Sequence, residues 1–439
     1  MPVREIAGCP DLLSLHAADP ERFPVLLETG TGDGWDLLLA CPQSVRLWHT
    51  GDADRFFPEL TADCSHSSPV PAEAAHLPFR GGWFLYLGYE MLHAFEPSVP
   101  QRVMVEEGFP QAAWMRVPAA IEIDRRQGRC WLFAEREADL DSLAELLAGG
   151  IAARDEAETE FRLASLVEED KEIFLRNVAA VQQYIRAGDV FQVNLSRRFD
   201  AMLAEPADAA ALYRRLRSAN PVPFGGLARL GPQQAILSAS PERLVRREGQ
   251  TLLTRPIAGT WPREPDAYRD AEQRRSLLAH PKERAEHVML VDLERNDLGR
   301  VCEPGSVRVE ELMGVTTYAW VHHLESTVSG RLRSGFSPAD VIRALFPGGT
   351  ITGCPKVRTM QIIGELEPSP RLAYTGSMGY VNADGDMDLN ILIRTAMLDG
   401  DRLGFSAGAG IVADSDPQRE LAETRAKARG ILRAFGAGQ

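Results

Sequence analysis

Residues 171–196 read KEIFLRNVAAVQQYIRAGDVFQVNLS and change from a helical to a strand pattern within one short segment. In the first part, apolar residues recur at spacings of four, three and four, which predicts a helix with one apolar face: Phe174, Val178, Val181 and Ile185. Gly188 is typical of the residue just beyond a helix end. Residues 191–196 then alternate strictly between apolar and polar side chains, which predicts a strand. The segment therefore indicates a fold that mixes helices and strands.

The polar face of this predicted strand carries Gln192, Asn194 and Ser196. A row of amide and hydroxyl side chains is common on a strand edge that faces solvent. On this segment alone, a solvated edge is therefore favoured over a functional row.

The clearest change of composition lies at residues 136–170, which are rich in Ala, Glu and Asp and predict a surface helix followed by a linker. This change divides the chain into residues 1–150 and residues 165–437. In the first region, WDLLLA at 35–40 and GGWFLYLGYE at 81–90 predict strands. The second region holds nearly all of the unusual motifs, so we expect the chemistry there.

The charge and the cysteines of the chain exclude several classes of function. The formal net charge is -14 with a pI near 5.2, and such a surface repels nucleic acid and anionic lipid. The sequence contains no run of about 18 apolar residues and no signal-peptide pattern at its start, so we expect no membrane span. The six cysteines are scattered without a C-x-x-C pair, which indicates reduced thiols and no zinc site. These features favour a cytoplasmic protein that needs a local cation to bind an anionic substrate.

Two predicted helices each carry a pair of glutamates three residues apart. Glu283 and Glu286 lie on the first, in HPKERAEHVMLVDLERND, and Glu420 and Glu423 lie on the second, in DSDPQRELAETRAKARGILRAF. A single pair of this kind is typical of a solvated helix face. Two such faces opposite each other would instead offer the hard oxygen ligands that Mg²⁺ prefers.

The loop PGGTITGCPK, residues 347–356, is a second candidate. Its glycines allow close approach of the backbone, and Pro355 is placed to open a helix whose free N–H groups could bind a carboxylate or phosphate. It is not a Walker A loop, because Cys354 and Pro355 separate Gly353 from Lys356. A plain turn before a helix explains the pattern equally well.

A third group of candidates is borne on predicted strands. Glu242 follows a short apolar strand in SASPERL. A hairpin around Asp384-Gly385 is expected to carry Tyr380 on one strand and Arg394 on the other. A buried arginine needs an anionic partner, which either a ligand or a structural ion pair would supply. His323, in VHHLES, is more typical of a histidine buried in the core.

Taken together, these segments resemble the chorismate-utilising enzymes, which include anthranilate synthase, aminodeoxychorismate synthase and the isochorismate and salicylate synthases. The resemblance covers residues 165–435 and rests on eight motifs in order: GDVFQVNLS, SASPERL, TRPIAGT, ERAEHVMLVDLERNDLGRV, VHHLESTV, PGGTITGCPKVR, GYVNADGDMDLNILIRT and AGAGIVADSDPQRELAETRAKA. It implies an α+β fold in which two antiparallel β-sheets pack together and helices cover them. It also implies that residues 1–150 form an N-terminal subdomain and residues 165–437 the catalytic region.

The resemblance further implies a role for each candidate residue. The carboxylates would bind Mg²⁺, which holds the ring carboxylate of chorismate: Glu286, Glu423, Glu283 and Glu420. A second set would bind the substrate anion: Thr350, Tyr380, Arg394, Gly408, Gly410 and Lys427. Glu242 would protonate the departing ring hydroxyl, and His323 would line the ring site. These residue types suit the chemistry, because hydroxide is a poor leaving group and a dianion needs cations.

Two further positions bear on the reaction. Relatives that add water carry a lysine at the position of Gln192, and a glutamine cannot act as that base, so ammonia is the expected nucleophile. Many aminodeoxychorismate synthases carry a nucleophilic lysine at the position of Ala258, whereas PIAGT is the usual sequence in anthranilate synthases. The VNLS and GSVRVEELMGV segments and the length nevertheless favour aminodeoxychorismate synthase component I and p-aminobenzoate (folate) biosynthesis. Anthranilate, for tryptophan biosynthesis, stays open as the alternative product.

The chain has no glutamine amidotransferase signature with a nucleophilic cysteine in a G-x-C-x-G turn. We therefore expect a separate glutamine amidotransferase subunit to supply the ammonia. A catalytically silent chorismate-binding homologue is the rival interpretation, and the presence of Glu242, Arg394 and Lys427 argues against it.

Overall fold

The computed structural model describes residues 2–65, 69–70, 72–100, 108–149, 161–318 and 321–436. The strands of this part of the chain are β1 Val3–Ile6, β2 Val25–Glu28, β3 Trp35–Ala40, β4 Ser44–Trp48, β5 Gly82–Leu87, β6 Ala112–Val117, β7 Ala119–Asp124, β8 Arg129–Ala134, β9 Leu163–Glu168, β10 Gln192–Leu203, β11 Phe224–Arg229, β12 Gln234–Ser240, β13 Arg243–Glu248, β14 Thr251–Arg255, β15 Ile257–Pro262, β16 Arg308–Thr317, β17 Val321–Arg331, β18 Gly353–Cys354, β19 Ser377–Asn382, β20 Met387–Asn390, β21 Thr395–Asp399 and β22 Arg402–Ile411.

The α-helices are α1 Leu12–Ala18, α2 Ala53–Cys64, α3 Leu92–Phe95, α4 Glu137–Ala148, α5 Lys171–Ala187, α6 Ala209–Ala219, α7 Ala267–Ala279, α8 Pro281–Gly299, α9 Pro338–Leu345, α10 Lys356–Leu366 and α11 Pro417–Ala434. Short 3₁₀ helices lie at Ala72–Ala74 and Tyr89–Met91.

The strands form two antiparallel sheets, as the resemblance implied. The larger has the order β1-β8-β7-β3-β2-β11-β12-β21-β22-β10-β18, with β9 also paired to β10. The smaller has the order β15-β17-β14-β13-β20-β19-β5-β6-β4, with β16 also paired to β17. Apolar side chains of both sheets share one core, where Leu37 and Ile236 of the larger sheet join Phe84 and Met378 of the smaller. The predicted α+β fold is confirmed.

Strands from the first third of the chain belong to both sheets. Residues 25–28 of β2 pair with 225–228 of β11, and β5 pairs along its whole length with β19. The division into residues 1–150 and 165–437 therefore does not coincide with a division between sheets, and it stays a proposal about how the chain is organised.

Helices cover the outer faces of the sheets. Leu212 of α6 and Ile431 of α11 pack with Leu237 of the larger sheet in one cluster. Val178 of α5 and Ile342 of α9 belong to another cluster. Helix α8 packs on β15 and β17, and α11 packs on β22. The two helices with paired glutamates are thus fixed on the two different sheets.

Most elements expected from local pattern are present. Helix α5 buries Phe174, Val178 and Val181, and Gly188 follows it with a left-handed φ of 83°. Pro281 and Pro417 open α8 and α11 as expected, and the side chain of Asp416 accepts a hydrogen bond from the backbone N–H of Arg419. The predicted strands at residues 35–40 and 81–90 are β3 and β5, and the hairpin around Asp384-Gly385 joins β19 to β20.

Three local expectations were wrong. The predicted linker at residues 136–170 contains strand β9 after helix α4, while its residues 150–160 lie outside the described part of the chain. Phe191, expected on the apolar strand face, precedes β10 and is 67% exposed. Arg394 follows the end of β20 instead of lying in a strand, and its φ of 52° is incompatible with a β conformation. Within the described residues, no helix is both long and apolar enough to cross a membrane.

Candidate active site

The polar face of β10 lies inside the molecule, so the expectation of a solvent-facing edge was wrong. Gln192 is only 4% exposed and Ser196 only 9%. The reason is tertiary: β10 pairs with β22 on one side and with β18 at its start, and helix α10 packs against it. A row of buried polar side chains needs partners, and these partners define one side of the candidate site.

Gln192 is held by a carboxylate from another element. Its Nε2 donates a hydrogen bond of 2.6 Å to Oε1 of Glu286 on α8, and its Oε1 is buried with no hydrogen-bond partner among the described groups. The amide is therefore oriented, with its N–H side used by the protein and its carbonyl oxygen left to accept.

Two glycines of β22 allow these side chains to lie close to the sheet. A side-chain carbon on Gly408 would lie 2.6 Å from both Oδ1 of Asn194 and the hydroxyl of Tyr374, and one on Gly410 would collide with the Gln192 amide. Protein side chains therefore approach the backbone closely at both glycines. Any other residue at either position would displace them.

The four glutamates predicted from the paired patterns form what we call the carboxylate end of the site: Glu283, Glu286, Glu420 and Glu423. Nζ of Lys427 lies 2.8 Å from Oε1 of Glu423 and donates a hydrogen bond of 3.0 Å to the Gly408 carbonyl. The charges of Lys427 and Lys282 both act on Glu286 and on Glu420, which places the two helices around one space.

Electrostatics at the carboxylate end indicate an excess of negative charge. Burial raises the pKa of Glu286, and its neighbour Glu283 raises it further, against the hydrogen bond from Gln192. Burial likewise raises the pKa of Glu420, with Glu423 adding to the effect. Partly desolvated like charges of this kind are stabilised by a bound cation.

No three His, Cys, Asp or Glu side chains of the described chain are already arranged around a metal position. Mg²⁺ needs no such cage, because it is commonly held by one or two carboxylates together with water and an anionic substrate. The donor atoms and the charge therefore fit Mg²⁺.

The opposite side of the site, which we call the acid end, consists of Glu242, Thr350, His323 and Arg394. Glu242 follows β12 and is 4% exposed. Burial raises its pKa to about 7, although the Thr350 hydroxyl and the Ile257 amide favour the charged form. Glu242 therefore keeps its proton to near-neutral pH, which suits a general acid.

Arg394 brings a positive charge to the acid end without a matching carboxylate. Burial lowers its pKa, which the charge of Glu242 partly offsets. Arg394 forms no ion pair with any other described residue, so a structural salt bridge does not explain it. A desolvated guanidinium of this kind is a site for an anionic ligand.

His323 on β17 is a neutral imidazole. Burial is the first cause that lowers its pKa, to about 3, and the charge of Arg394 adds to it. Its Nδ1 lies 2.8 Å from Oγ1 of Thr260, while its Nε2 is buried with no hydrogen-bond partner in the described structure. The ring is thus fixed from one side and can contact a ligand from the other.

Ala258 lies on β15 between residues that contact both ends. It pairs with Leu324 of β17 and is 7% exposed. The amide of its neighbour Ile257 acts on Glu242, and its other neighbour, Gly259, lies against the carboxylate of Glu283. The structure therefore brings position 258 into the candidate site with no functional group on its side chain.

Tyr380 is the predicted site residue that the structure does not bring to the others. Its ring packs edge-on against Phe79 at 5.9 Å within the core between the sheets, and its nearest charges include Asp388. Tyr374, from the same AYTGSMGY segment, lies over Gly408 instead. Sequence reasoning missed it, because nothing in the local pattern distinguishes the two tyrosines.

A buried arginine holds Tyr374 and its surroundings in place. Arg371 forms an ion pair of 2.6 Å with Glu367 and donates to the carbonyl oxygens of Asn194 and Ile351. Its guanidinium also lies 5.6 Å from the Tyr374 ring. One residue thereby ties β10, the loop that carries Thr350 and the Tyr374 turn together.

Comparison with known proteins gives one family. The sequence profile of the family described as chorismate binding enzyme matches residues 23–433. Anthranilate synthase component 1 of Streptomyces coelicolor is 43% identical over 399 residues, covering 85% of this chain and 77% of that protein. Aminodeoxychorismate synthase component 1 of Klebsiella aerogenes is 42% identical over 370 residues, covering 84% and 80%. The crystal structure of anthranilate synthase component I from Streptococcus pneumoniae has a TM-score of 0.78 at 33% identity, covering 91% of this chain and 92% of that one.

Proposed function

The chain belongs to the chorismate-binding enzymes, and from that membership we propose that it aminates chorismate with ammonia to give 4-amino-4-deoxychorismate. Relatives named for two different aminations match at similar identity, so family membership alone does not choose between their products. The observation that carries the proposal is the orientation of Gln192.

The Gln192 amide donates its N–H to Glu286 and leaves a buried carbonyl oxygen as a free acceptor. An amide has no basic lone pair with which to deprotonate water, so this position cannot generate hydroxide. It can accept a hydrogen bond from ammonia, which is already a nucleophile and needs no base. The arrangement therefore supports ammonia over water.

The carboxylates of chorismate would be shared between the two ends. Arg394, which has no ion pair within the described chain, supplies a charge for the enolpyruvyl carboxylate. Tyr374 and the backbone of Gly410 lie on the same side as Lys427, whose ammonium group already contacts β22. We assign to Tyr374 the substrate-binding role that the family resemblance had implied for Tyr380.

Glu242 would protonate the ring hydroxyl as it leaves, because burial keeps this carboxyl in its acid form to about pH 7. The neutral His323 ring, fixed through Thr260, would lie against the substrate ring without competing for the proton.

Glu286 and Glu423 would hold Mg²⁺, supported by Glu283 and Glu420. When bound, the metal supplies positive charge for the ring carboxylate and relieves the repulsion between these partly desolvated glutamates. The residues themselves orient Gln192 through Glu286 and position Lys427 through Glu423.

A second candidate product is anthranilate, and Ala258 favours it. A lysine nucleophile would be required at position 258 for a covalent two-step replacement at the ring, and the alanine there has no reactive group. Direct attack by ammonia next to the carboxylate-bearing carbon leads to anthranilate. The VNLS and GSVRVEELMGV segments favour 4-amino-4-deoxychorismate as the product.

The ammonia would come from a glutamine amidotransferase subunit. The sequence carries no nucleophilic-cysteine signature for glutamine hydrolysis, and the related proteins are named as component 1 of their synthases. The working enzyme would then be a complex of this chain with the glutamine amidotransferase subunit.

One incubation separates the candidates. The purified chain is mixed with chorismate, Mg²⁺ and an ammonium salt at mildly alkaline pH, with and without an added aminodeoxychorismate lyase. We expect p-aminobenzoate only when the lyase is added, and no accumulation of isochorismate. Fluorescent anthranilate formed without the lyase would assign the second product. Unchanged chorismate, with a correctly folded chain, would favour a silent homologue.

A further inference from the structure

The segment GGWFLYLGYE, residues 81–90, contains strand β5, and the proposed reaction uses none of its side chains. The end of β5 pairs with the start of β19 in an antiparallel arrangement. The residues that follow β5 therefore lie beside those that precede β19. This places residues 88–90 next to residues 371–376, which we call the Tyr374 turn.

Glu90 binds two consecutive backbone amides of this turn. Its Oε1 accepts a hydrogen bond of 2.8 Å from the N–H of Arg371, and its Oε2 accepts one of 3.0 Å from the N–H of Leu372. In the opposite direction, the N–H of Tyr89 donates a hydrogen bond of 2.7 Å to the carbonyl oxygen of Leu372. Both carboxylate oxygens of Glu90 are thus used to hold the backbone of the turn.

The Tyr374 turn has a conformation that needs such support. Leu372 has a φ of 51° and Thr375 a φ of 61°, which places both in the left-handed region. This region is uncommon for residues other than glycine, and it persists only where surrounding contacts hold it. The N–H of Thr375 donates a hydrogen bond of 2.7 Å to the carbonyl oxygen of Leu392. That bond holds one end of the turn, and Glu90 holds the other.

The backbone of the turn sets the position of the Tyr374 ring. The N–H of Tyr374 donates a hydrogen bond of 3.0 Å to the carbonyl oxygen of Arg371, the residue whose amide Glu90 binds. Tyr374 is 4% exposed, and a side-chain carbon on Gly408 would lie 2.6 Å from its hydroxyl. A shift of the turn would therefore move this hydroxyl relative to β22.

Glu90 and the side chain of Arg371 restrain the turn in different ways. The Arg371 guanidinium is bound by Glu367 and lies 4.7 Å from the Tyr89 ring, whereas the backbone N–H of Arg371 is bound by Glu90. The guanidinium ties the turn to β10, and the carboxylate of Glu90 ties it to the segment after β5. Glu90 is thereby a contribution of the N-terminal region to the geometry of the site.

We propose that Glu90 is a positioning residue for substrate binding, which fixes the Tyr374 turn so that the tyrosine hydroxyl meets the enolpyruvyl carboxylate of chorismate. The inference rests on the proposed substrate-binding role of Tyr374. Glu90 uses both of its oxygens on the turn, so it acts on the substrate through Tyr374. Its loss should weaken binding and leave the proton transfer from Glu242 unaffected.

The test is a double-mutant cycle between Glu90→Gln and Tyr374→Phe, using the full chain with chorismate, Mg²⁺ and ammonium at mildly alkaline pH. Burial raises the pKa of Glu90 to about 7, so its carboxyl group is ionised under these conditions. Glutamine has the same shape, but its NH₂ group would face one of the two amide N–H groups, so one hydrogen bond is lost. We expect KM to rise about 5- to 20-fold in Glu90→Gln and about 10- to 100-fold in Tyr374→Phe, with kcat unchanged within about twofold.

The double variant decides whether Glu90 acts through the Tyr374 hydroxyl. If it does, the KM of the double variant should equal that of Tyr374→Phe within about twofold, because no hydroxyl remains to be misplaced. Independent effects would multiply instead, and a multiplied KM would overturn the proposal. An unchanged KM in Glu90→Gln, or a loss mainly in kcat, would overturn it as well.

Glu135→Gln is the matched control. Glu135 lies against Gly81, at the opposite end of the same segment, and accepts two hydrogen bonds from Arg116. Its replacement removes a hydrogen-bonded carboxylate from the same region of the chain and should leave the KM for chorismate unchanged. A rise in KM equal to that of Glu90→Gln would assign both effects to a general loosening of this region and would count against positioning by Glu90.

Glu90→Asp keeps the test decisive if Glu90→Gln does not fold, as judged by circular dichroism. Aspartate retains a carboxylate but is shorter by one methylene group, so KM should rise by about 2- to 10-fold, and this rise should vanish in the Tyr374→Phe background. Failure of both variants to fold would overturn the proposal, because Glu90 would then support the fold as a whole. An unchanged KM in Tyr374→Phe would remove the proposed role of Tyr374 itself, whereas a raised KM there with multiplying effects would remove only the role of Glu90.

Discussion

Glu242 and Glu286 are carboxylates of one candidate site, yet the protein surrounds them with different neighbours. At the acid end, Glu242 and His323 are buried and Arg394 is partly buried, and none of them has a charged partner at ion-pair distance in the described structure. At the carboxylate end, Glu423 is half-exposed and already paired with Lys427. One end is desolvated in advance, whereas the other is open and crowded with like charges.

This difference indicates how the work of the site is divided. A desolvated acid and an unpaired arginine need no rearrangement before they act, because their protonation and orientation are set by the fold. The open carboxylates can adjust to a cation and a substrate that arrive together. We therefore expect the carboxylate end to depend on added metal, and the acid end to depend on burial.

The largest effect should follow from changes at the carboxylate end. Glu286→Ala or Glu423→Ala, or excess EDTA on the unmodified protein, should reduce chorismate consumption to background, because the remaining glutamates no longer provide a metal site. Glu286→Ala also releases the Gln192 amide. The measurement is chorismate loss with ammonium and titrated Mg²⁺.

The exposed Glu272 on α7 provides the control, since Glu272→Ala removes an equal charge away from the site and should leave activity unchanged. Full turnover in EDTA, or in either of the two site variants, would refute the metal assignment. It would also refute the inference that the carboxylate end depends on added metal.

A smaller but still large loss is expected at the acid end. Glu242→Gln should lower kcat by about 10²- to 10⁴-fold with little change in KM, the range for a lost general acid. The unmodified enzyme should show the matching pH dependence. Because burial raises the pKa of Glu242 to about 7, the acid form is present below that pH, and kcat at constant free ammonia should fall as the pH rises through it.

The measurement is a pH profile of kcat for both proteins, together with chorismate binding to Glu242→Gln. A variant that loses affinity but keeps its turnover would make Glu242 a binding residue. If kcat of the variant also falls at high pH, the pH dependence belongs to a group other than Glu242.

The smallest effect on activity is expected at Arg394. Its replacement should weaken substrate binding but stabilise the fold. Arg394→Gln should raise the KM for chorismate by about 10- to 100-fold, the value of a charge-assisted hydrogen bond. Without substrate, the same change should raise the melting temperature, because it removes a partly buried, desolvated cation that has no ion pair among the described residues.

Arg243→Gln is the contrasting control. Arg243 is also partly buried, but it forms an ion pair of 2.8 Å with Asp388, so its loss should destabilise the fold. If Arg394→Gln lowers the melting temperature as Arg243→Gln does, the arginine is structural, and the contrast between the two ends disappears.

Local pattern was sufficient for the elements that frame the site. Helix α5 ends at the predicted glycine, and α8 and α11 begin at the predicted prolines, because caps and periodicity act over a few residues. The paired glutamates, Glu242 and Arg394 could be selected from sequence, since their resemblance to one enzyme family lies in contiguous motifs.

Only the tertiary structure decided which side chains face the site. The alternation in β10 is the same whether its polar face meets solvent or protein, and the choice was made by β18, β22 and α10. The same holds for Tyr374 and Tyr380, six residues apart in the chain, of which one lies over Gly408 and the other in the core between the sheets. Glu294 lies on a helix rich in charged residues, and only tertiary packing buries it. Sequence fixes local conformation through short-range contacts, whereas burial, and with it protonation, depends on strands and helices distant in the chain.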